Sequence, residues 1–430
     1  MKKYFTLFFA AILMVACNND DDGNFVRIEN NVLQYTTEGG EESFSIYSNT
    51  SWRIENKDSV WITLSKKEGT GDAVINVTVK ENETHENRSS IIKITFGNNQ
   101  FLEVSVSQNR TPKTVALFIL SEGFKTSEIA YYNIKSKELT KNYYTLKNNE
   151  EAVGSTGNDL VMYGSKLYCV VSGSSESPGY LNVIDPETGK SVKKIDIKDK
   201  AGNISTPRAI IFNKNKAFLS TYSNTVVRVD TALLVVDAIA DLSGTYAEGL
   251  SICDEKIYVC NSGQGADSTI SVVDIKTFKE LRKITVPKNP ASIVTSQTGE
   301  LYFSTADLSW AGGAESNLYV LDPKTEKITH TFNIRASRLA TIKDDVYSVC
   351  YDWNDSKNYL YKINTGTKAT SAFTAAGIDK AYNVSANQLN GDVYISDMGE
   401  TIIALDKNGN KIFDLKTGGI YMNKVAAYWK

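Results

Sequence analysis

An all-β chain with two folded parts is predicted by three observations. These are a composition rich in strand formers, a dense strand-and-turn rhythm over residues 27–109, and a long repeat over residues 113–430. Tyr is abundant at 23 residues and Pro is scarce at 7. Aromatic and β-branched residues suit a pleated, half-buried surface, and Gly, Asn and Asp recur between them as turn formers. A chain of 430 residues has room for two or three domains. Its 47 basic and 50 acidic residues leave a net charge of −3. That balance offers no electrostatic footprint for nucleic acid, so no nucleic-acid partner is expected.

The first folded part spans residues 27–109. Strand-like stretches fall at 32–36, 42–48, 51–55, 61–64, 74–79, 90–96 and 102–108, separated by turns such as Gly39-Gly40, Glu68-Gly69 and Gly97-Asn98-Asn99. Seven short strands in about 80 residues predict an immunoglobulin-like β-sandwich. The pieces Gly39-Gly40, Asn49-Thr50-Ser51-Trp52, Trp61, Gly69, Glu81-Asn82, Asn87-Arg88 and Val104-Ser105-Val106-Ser107-Gln108 resemble a BACON domain over the whole segment. The family name implies carbohydrate binding. Sugar binding needs an exposed aromatic platform, and the Trp residues here are Trp52 and Trp61. Both read as sandwich core, so the segment is expected to act as a spacer.

The second part spans residues 113–430 and repeats one phrase. A strand like that at 257–260 returns at 115–120, 167–171, 217–221, 301–304, 346–350 and 393–396. The strand after it often ends in a turn of the form Asp-x-x-Thr, as at Asp185, Asp274 and Asp322. Asp suits that place because its carboxylate can bond nearby backbone N–H groups. The copies are spaced by roughly 40 to 52 residues, and four strands at such a period predict a β-propeller blade. Seven copies predict a seven-bladed β-propeller. The first copy lacks a leading strand, and the chain end at 423–429 resembles the leading strands elsewhere. The C-terminal strand is therefore expected to close the ring, which would otherwise leave two open edges.

Several stretches carry a second resemblance: Leu120-Ser121-Glu122-Gly123, Thr206-Pro207-Arg208, Ala247-Glu248-Gly249, Cys260-Asn261-Ser262-Gly263 and Asn289-Pro290. They are similar to YncE-like seven-bladed propellers, and within that group to BtuG-type surface lipoproteins of Bacteroidota. That resemblance implies capture of corrinoids such as cobalamin on a propeller face and delivery to a TonB-dependent transporter. The BACON-like segment ahead of the propeller departs from it, and ligand specificity does not travel with a scaffold.

In such a ring, the loops joining the second and third strands of each blade share a face with the loops joining blade to blade. The first set supplies Glu122, Tyr222, Trp310, Tyr351 and Trp353. The second supplies Asp159, Arg208, Glu248, Arg338 and Tyr382. Aromatic residues among charged ones suit a large ligand of mixed polarity, either a corrinoid or a glycan. Singly, each residue also fits a plainer role in loop packing or as a solvated rim. A glycan-utilisation surface protein and a protein–protein scaffold remain open alternatives. Carboxylate pairs from Asp159, Glu248 and Asp397 could run glycosidase or lyase chemistry. However, no spaced metal motif, phosphate loop or nucleophile elbow is present. Neither an enzyme nor a cofactor is expected. The two His, His85 and His330, fall in different parts, which weakens His-dependent triads and His-rich metal sites.

The N-terminus supplies an address. Lys2 and Lys3 precede an apolar run at 4–16, too short for the roughly 20 residues that span a bilayer. Residues 1–16 read as a signal peptide. Leu13-Met14-Val15-Ala16-Cys17 resembles a lipobox, which implies lipidation of Cys17 and anchoring by several acyl chains at about 0.8 kcal/mol per buried CH₂. Asp20-Asp21-Asp22 makes residues 17–26 an acidic, solvated tether. It resembles the export signal of surface-exposed lipoproteins. The expected location is the outer membrane, facing the cell exterior. Cys169, Cys253, Cys260 and Cys350 lie in apolar strand patterns and read as buried packing residues. Cys253 is expected to face about Ile257 across its hairpin.

Overall fold

The computed structural model describes residues 25–430 apart from 124–125, 175–176 and 308–314. The expected leader, the tether up to residue 24 with Cys17, and Trp310 therefore lie outside the described residues. Those residues form an all-β protein whose one α-helix is the short Tyr143–Lys147. No described helix is long and apolar enough to cross a membrane. The chain divides into two compact units, the first ending at Lys113 and the second running Thr114–Trp429.

The first unit has two sheets. One orders its strands Val26–Glu29, Gly40–Ser48, Ala73–Val79 and Ile62–Leu64. The other orders Val32–Tyr35, Gln100–Gln108, Arg88–Phe96, Ser51–Asn56 and Glu68–Thr70. Their inner faces share one core. Ala73–Val79 illustrates the pattern: Ile75, Val77 and Val79 are buried while Val74, Asn76 and Thr78 face out, as a period of two requires. Trp52 and Trp61 are core residues at 3 % and 9 % exposure. Arg88 lies 4.4 Å over the Trp61 ring.

Two strands escaped the sequence reading, Val26–Glu29 and Glu68–Thr70. The second was read as a turn because of Gly69. The glycine has another cause: a Cβ there would sit 2.4 Å from Cζ2 of Trp52. Gly69 is a strand residue that leaves room for the indole, whose Nε1 donates to the Gly71 carbonyl at 2.8 Å.

The second unit contains, among the described residues, seven four-stranded antiparallel sheets in chain order. Their leading strands are Gly157–Tyr163, Pro207–Asn213, Ala247–Cys253, Pro290–Thr295, Arg338–Ile342 and Ala381–Ala386, with Met422–Trp429 leading the sheet of Thr114–Ser121. Met422–Trp429 pairs antiparallel with Thr114–Ser121, so the two chain ends of this unit share a sheet. Each leading strand touches the next, and Met422–Trp429 touches both Ala381–Ala386 and Gly157–Tyr163. Apolar clusters fill the seams between consecutive sheets all the way round. The second strands are buried on both faces: Leu117 and Ile119 point into one seam, Ala116, Phe118 and Leu120 into the other. That explains their unbroken apolar runs. The arrangement is consistent with a β-propeller.

The turns follow the predicted chemistry. Asp274 Oδ1 accepts from the Thr277 amide at 2.6 Å, and Asp322 Oδ1 from the Lys324 amide at 2.8 Å. The four described cysteines are free and buried. Cys253 pairs with Lys256 rather than Ile257 in its hairpin, a shift of one residue. Burial pushes the Cys350 thiol up to about 11 against a hydrogen bond with Ser316, so it is a packing group.

Candidate functional site

The residues predicted for blade-to-blade loops sit inside the leading strands, at their starts. The cause is a repeated irregularity. The pairing register slips by one residue near Asn158, between Pro207 and Ile210, between Ala247 and Leu250, near Ala291, near Tyr382 and near Asn423. A β-bulge at these places inserts an extra residue and re-aims its neighbours. Asp159, Arg208, Glu248 and Tyr382 all lie at or beside a bulge. The Pro207-Arg208 and Glu248-Gly249 pairs thus mark bulges, which sequence alone reads as loops.

Side chains from all seven leading strands gather around one axial opening; six of these strands carry a bulge, and Arg338–Ile342 pairs without one. The opening has a volume of about 90 Å³, and Asp159, Arg208, Glu248, Arg338, Asn423 and Lys424 line it. Gly249 permits the close approach, because a Cβ there would meet the Ala291 carbonyl oxygen at 2.7 Å. Serines fasten one sheet to the next at this end. Ser172 Oγ donates to the Pro207 carbonyl at 2.5 Å, and Ser304 Oγ to the Ser337 carbonyl at 2.8 Å. Asn423 Nδ2 donates to the Gly157 carbonyl, and Asn383 Nδ2 to Asn423 Oδ1, each at 2.9 Å.

The charges at the opening are mostly paired. Arg208 Nε donates to Glu248 Oε2 at 3.1 Å, with both side chains less than a fifth exposed. The Tyr222 hydroxyl donates to the other oxygen of Glu248. Arg208 also lies 4.5 Å over the Tyr222 ring, and Tyr246 meets that ring edge-on. Burial pushes the Tyr222 phenol above its ordinary value, while the Arg208 charge pulls the other way. Asp159 Oδ2 accepts from the Ile210 amide of the neighbouring sheet at 3.1 Å, and Lys424 lies 3.7 Å from Oδ1. Asp397 accepts from the Thr401 amide at 2.8 Å and is 2 % exposed. These three carboxylates are thus engaged within the fold.

Beside the opening lies a larger pocket of about 410 Å³, lined by Arg338, Tyr351, Trp353, Tyr382 and Met398 among others. Arg338 lines both spaces. Tyr351 and Trp353 meet edge to face, with centroids 4.9 Å apart. Trp353 is 61 % exposed, the most exposed aromatic side chain among the described residues of the second unit. Lys380 lies 5.0 Å over it. The Tyr382 hydroxyl donates to Glu122 Oε2 at 2.6 Å, and burial raises its phenol, with Arg338 opposing.

Of the predicted site residues, Asp159, Arg208, Glu248 and Arg338 therefore meet at the opening, and Tyr222 joins them through Glu248. Tyr351, Trp353 and Tyr382 join Arg338 in the side pocket, and Glu122 reaches it through Tyr382. Trp310 lies outside the described residues. Lys424 and Lys380 were missed. Lys424 reads from sequence only as part of a closing strand, and nothing in the sequence around Lys380 singles it out. Among the described residues no group of three or more His, Cys, Asp or Glu side chains is placed to hold a metal ion.

Comparison with known proteins adds two families. Residues 50–109 match the BACON family, described as a putative binding domain, N-terminal. Residues 116–372 match the family described as a domain of unknown function, DUF5074. Neither description names a catalytic activity. No curated protein matches the chain. Among solved structures, the chain is similar to Kuenenia stuttgartiensis hydrazine synthase at 14 % identity, covering 64 % of this chain and 95 % of that one with a TM-score of 0.52. At that identity the likeness concerns the fold alone. Also similar are the computationally designed Ika8 protein (16 % identity, 74 % of this chain and 92 % of that one, TM-score 0.49) and the Neurospora crassa Pan2 WD40 domain (12 %, 63 % and 79 %, 0.47). The match over residues 116–372 takes in more than half of the sequence, and the chain belongs to the DUF5074 family.

Proposed function

We propose that this chain is a lipid-anchored outer-membrane protein that captures a ligand on one face of a seven-bladed β-propeller. In this reading the seven four-stranded sheets are blades and Met422–Trp429 is the closing strand. The first unit is an immunoglobulin-like spacer between the propeller and a lipid on Cys17. The observation that carries the reading is the convergence of side chains from all seven leading strands, charged ones from five of them, on one opening, continuous through Arg338 with an aromatic-walled pocket of about 410 Å³. Small-molecule sites share this character: concave, with few polar groups at fixed places. The ligand we favour is a corrinoid passed to a TonB-dependent transporter, on the strength of the resemblance to BtuG-type lipoproteins.

A glycan is the second reading. It is favoured by one observation, the exposed Trp353 set edge-on to Tyr351, which could form a sugar platform.

Gel filtration with cyanocobalamin and with cobinamide tests the first ligand. A coloured corrinoid co-eluting with the protein is the expected outcome. A glycan array tests the second. Failure of both panels overturns ligand capture. Protease treatment of intact cells tests the location: cleavage is expected, and full protection contradicts exposure at the cell surface.

A further inference from the structure

Five charged side chains line the axial opening: Asp159, Arg208, Glu248, Arg338 and Lys424. Two pairs form among them, Lys424 with Asp159 at 3.7 Å and Arg208 with Glu248 at 3.1 Å. Arg338 is left over. Among the described residues, no carboxylate lies within ion-pair distance of its guanidinium, and no acceptor is hydrogen-bonded to it. Arg338 acts electrostatically on the Tyr382 and Tyr222 phenols, whose hydroxyls donate to Glu122 and Glu248. Asp307, the carboxylate on the pocket wall, has a partner of its own.

The partly buried Arg338 guanidinium therefore has its charge available to a ligand. Its planar fork fits a carboxylate or a phosphate with two parallel N–H···O bonds. The rest of the pocket is of a different kind. Tyr351 and Trp353 form an aromatic wall, and Lys380 covers it as a second cation, 5.0 Å from the Trp353 centroid and 5.8 Å from that of Tyr351. A lysine stacked on an exposed ring is a weak contact that a flat ligand can displace. The volume of about 410 Å³ lies within the range of roughly 300–1,000 Å³ usual for small-molecule sites.

We infer that the side pocket takes a ligand, or part of one, that carries an anionic oxygen group on a flat apolar body. The anion sits on Arg338 and the flat body lies against Trp353 and Tyr351. This rests on the capture reading and narrows it, because a neutral ligand would leave Arg338 desolvated and unmatched.

Three probes sharing one ring test the inference by ligand-observed NMR titration of the whole protein: indole-3-acetate, 3-indoxyl phosphate and the neutral indole-3-acetamide. At least one anion is expected to bind tenfold or more tightly than the amide, and comparing the two anions separates carboxylate from phosphate ester. Arg338→Gln is expected to abolish the preference, and Trp353→Ala to weaken all three probes. Equal binding of anions and amide, or a preference that survives Arg338→Gln, overturns the inference. So does failure of every probe to bind. Capture itself is judged separately, by the corrinoid and glycan panels. A corrinoid or glycan held equally by wild type and Arg338→Gln would leave capture standing and the anion assignment refuted.

Discussion

At the corners of this fold, polar residues fix the turns. Asp230 is an example. Its Oδ1 accepts from the Ala232 and Leu233 amides, each at 2.8 Å, and Oδ2 meets Lys216 Nζ at 2.9 Å. The Leu233 amide and Lys216 together hold its carboxyl down to about 2. A depressed folded value gives stability that is complete above the unfolded value, about 3.9, and is lost as pH falls through about 2. Asp230→Asn is expected to cost on the order of 1 kcal/mol at pH 7. The deficit should shrink between pH 4 and pH 2 in urea unfolding curves. A deficit that is constant over that range would mean the carboxylate charge is not what stabilises the turn. Gly69 is decided by shape instead. Gly69→Ala places a methyl 2.4 Å from Cζ2 of Trp52 and is expected to cost about 1–3 kcal/mol in the first unit, read as a lower melting temperature. An unchanged melting temperature would show that the indole moves freely.

Among the strands, Met422–Trp429 carries the most. Met422, Val425, Ala426, Ala427 and Tyr428 are all buried, and they fill the seams on both sides of the first sheet. Burying a large apolar side chain contributes roughly 1.5–3 kcal/mol, and the strand also covers the otherwise open edge of Thr114–Ser121. Removing residues 421–430 is therefore expected to unfold the whole second unit rather than fray one sheet. Circular dichroism would show this as loss of the cooperative transition; a retained transition would contradict closure. This strand was legible in the sequence because Asn423 to Trp429 repeats the pattern of the other leading strands. The second strands were legible for a related reason, since burial on both faces leaves unbroken apolar runs. Other features were not legible. A bulge changes register by one residue without changing composition, so Arg208 and Glu248 looked like loop residues. Glu68–Thr70 looked like a turn because nothing local says that Gly69 answers to Trp52, seventeen positions earlier. The site was legible as a list of residues but not as a set of partners. That Glu248 belongs to Arg208, Asp159 to Lys424 and Glu122 to Tyr382 depends on which sheets adjoin, and long-range pairing is not written in any one window.

At the scale of the molecule, the ring brings one position from each sheet to a common axis. Charge on a single strand then becomes a cluster of three basic and two acidic groups, and four of the five cancel in pairs. What remains is an arginine between a narrow opening and an aromatic pocket. Of the carboxylates that could have suggested hydrolytic chemistry, Asp159 bonds to the neighbouring sheet, Glu248 pairs with Arg208 and Asp397 holds a turn of its own sheet. Capture is the function we propose for this face. Calorimetric titration of the purified protein with cyanocobalamin, run beside Arg338→Ala and Trp353→Ala, tests that claim most directly. One-to-one binding is predicted for the wild type, weakened at least tenfold, or about 1.4 kcal/mol, in each variant. Binding of full strength in both variants would move the site elsewhere, and absence of heat would remove the corrinoid as the captured ligand.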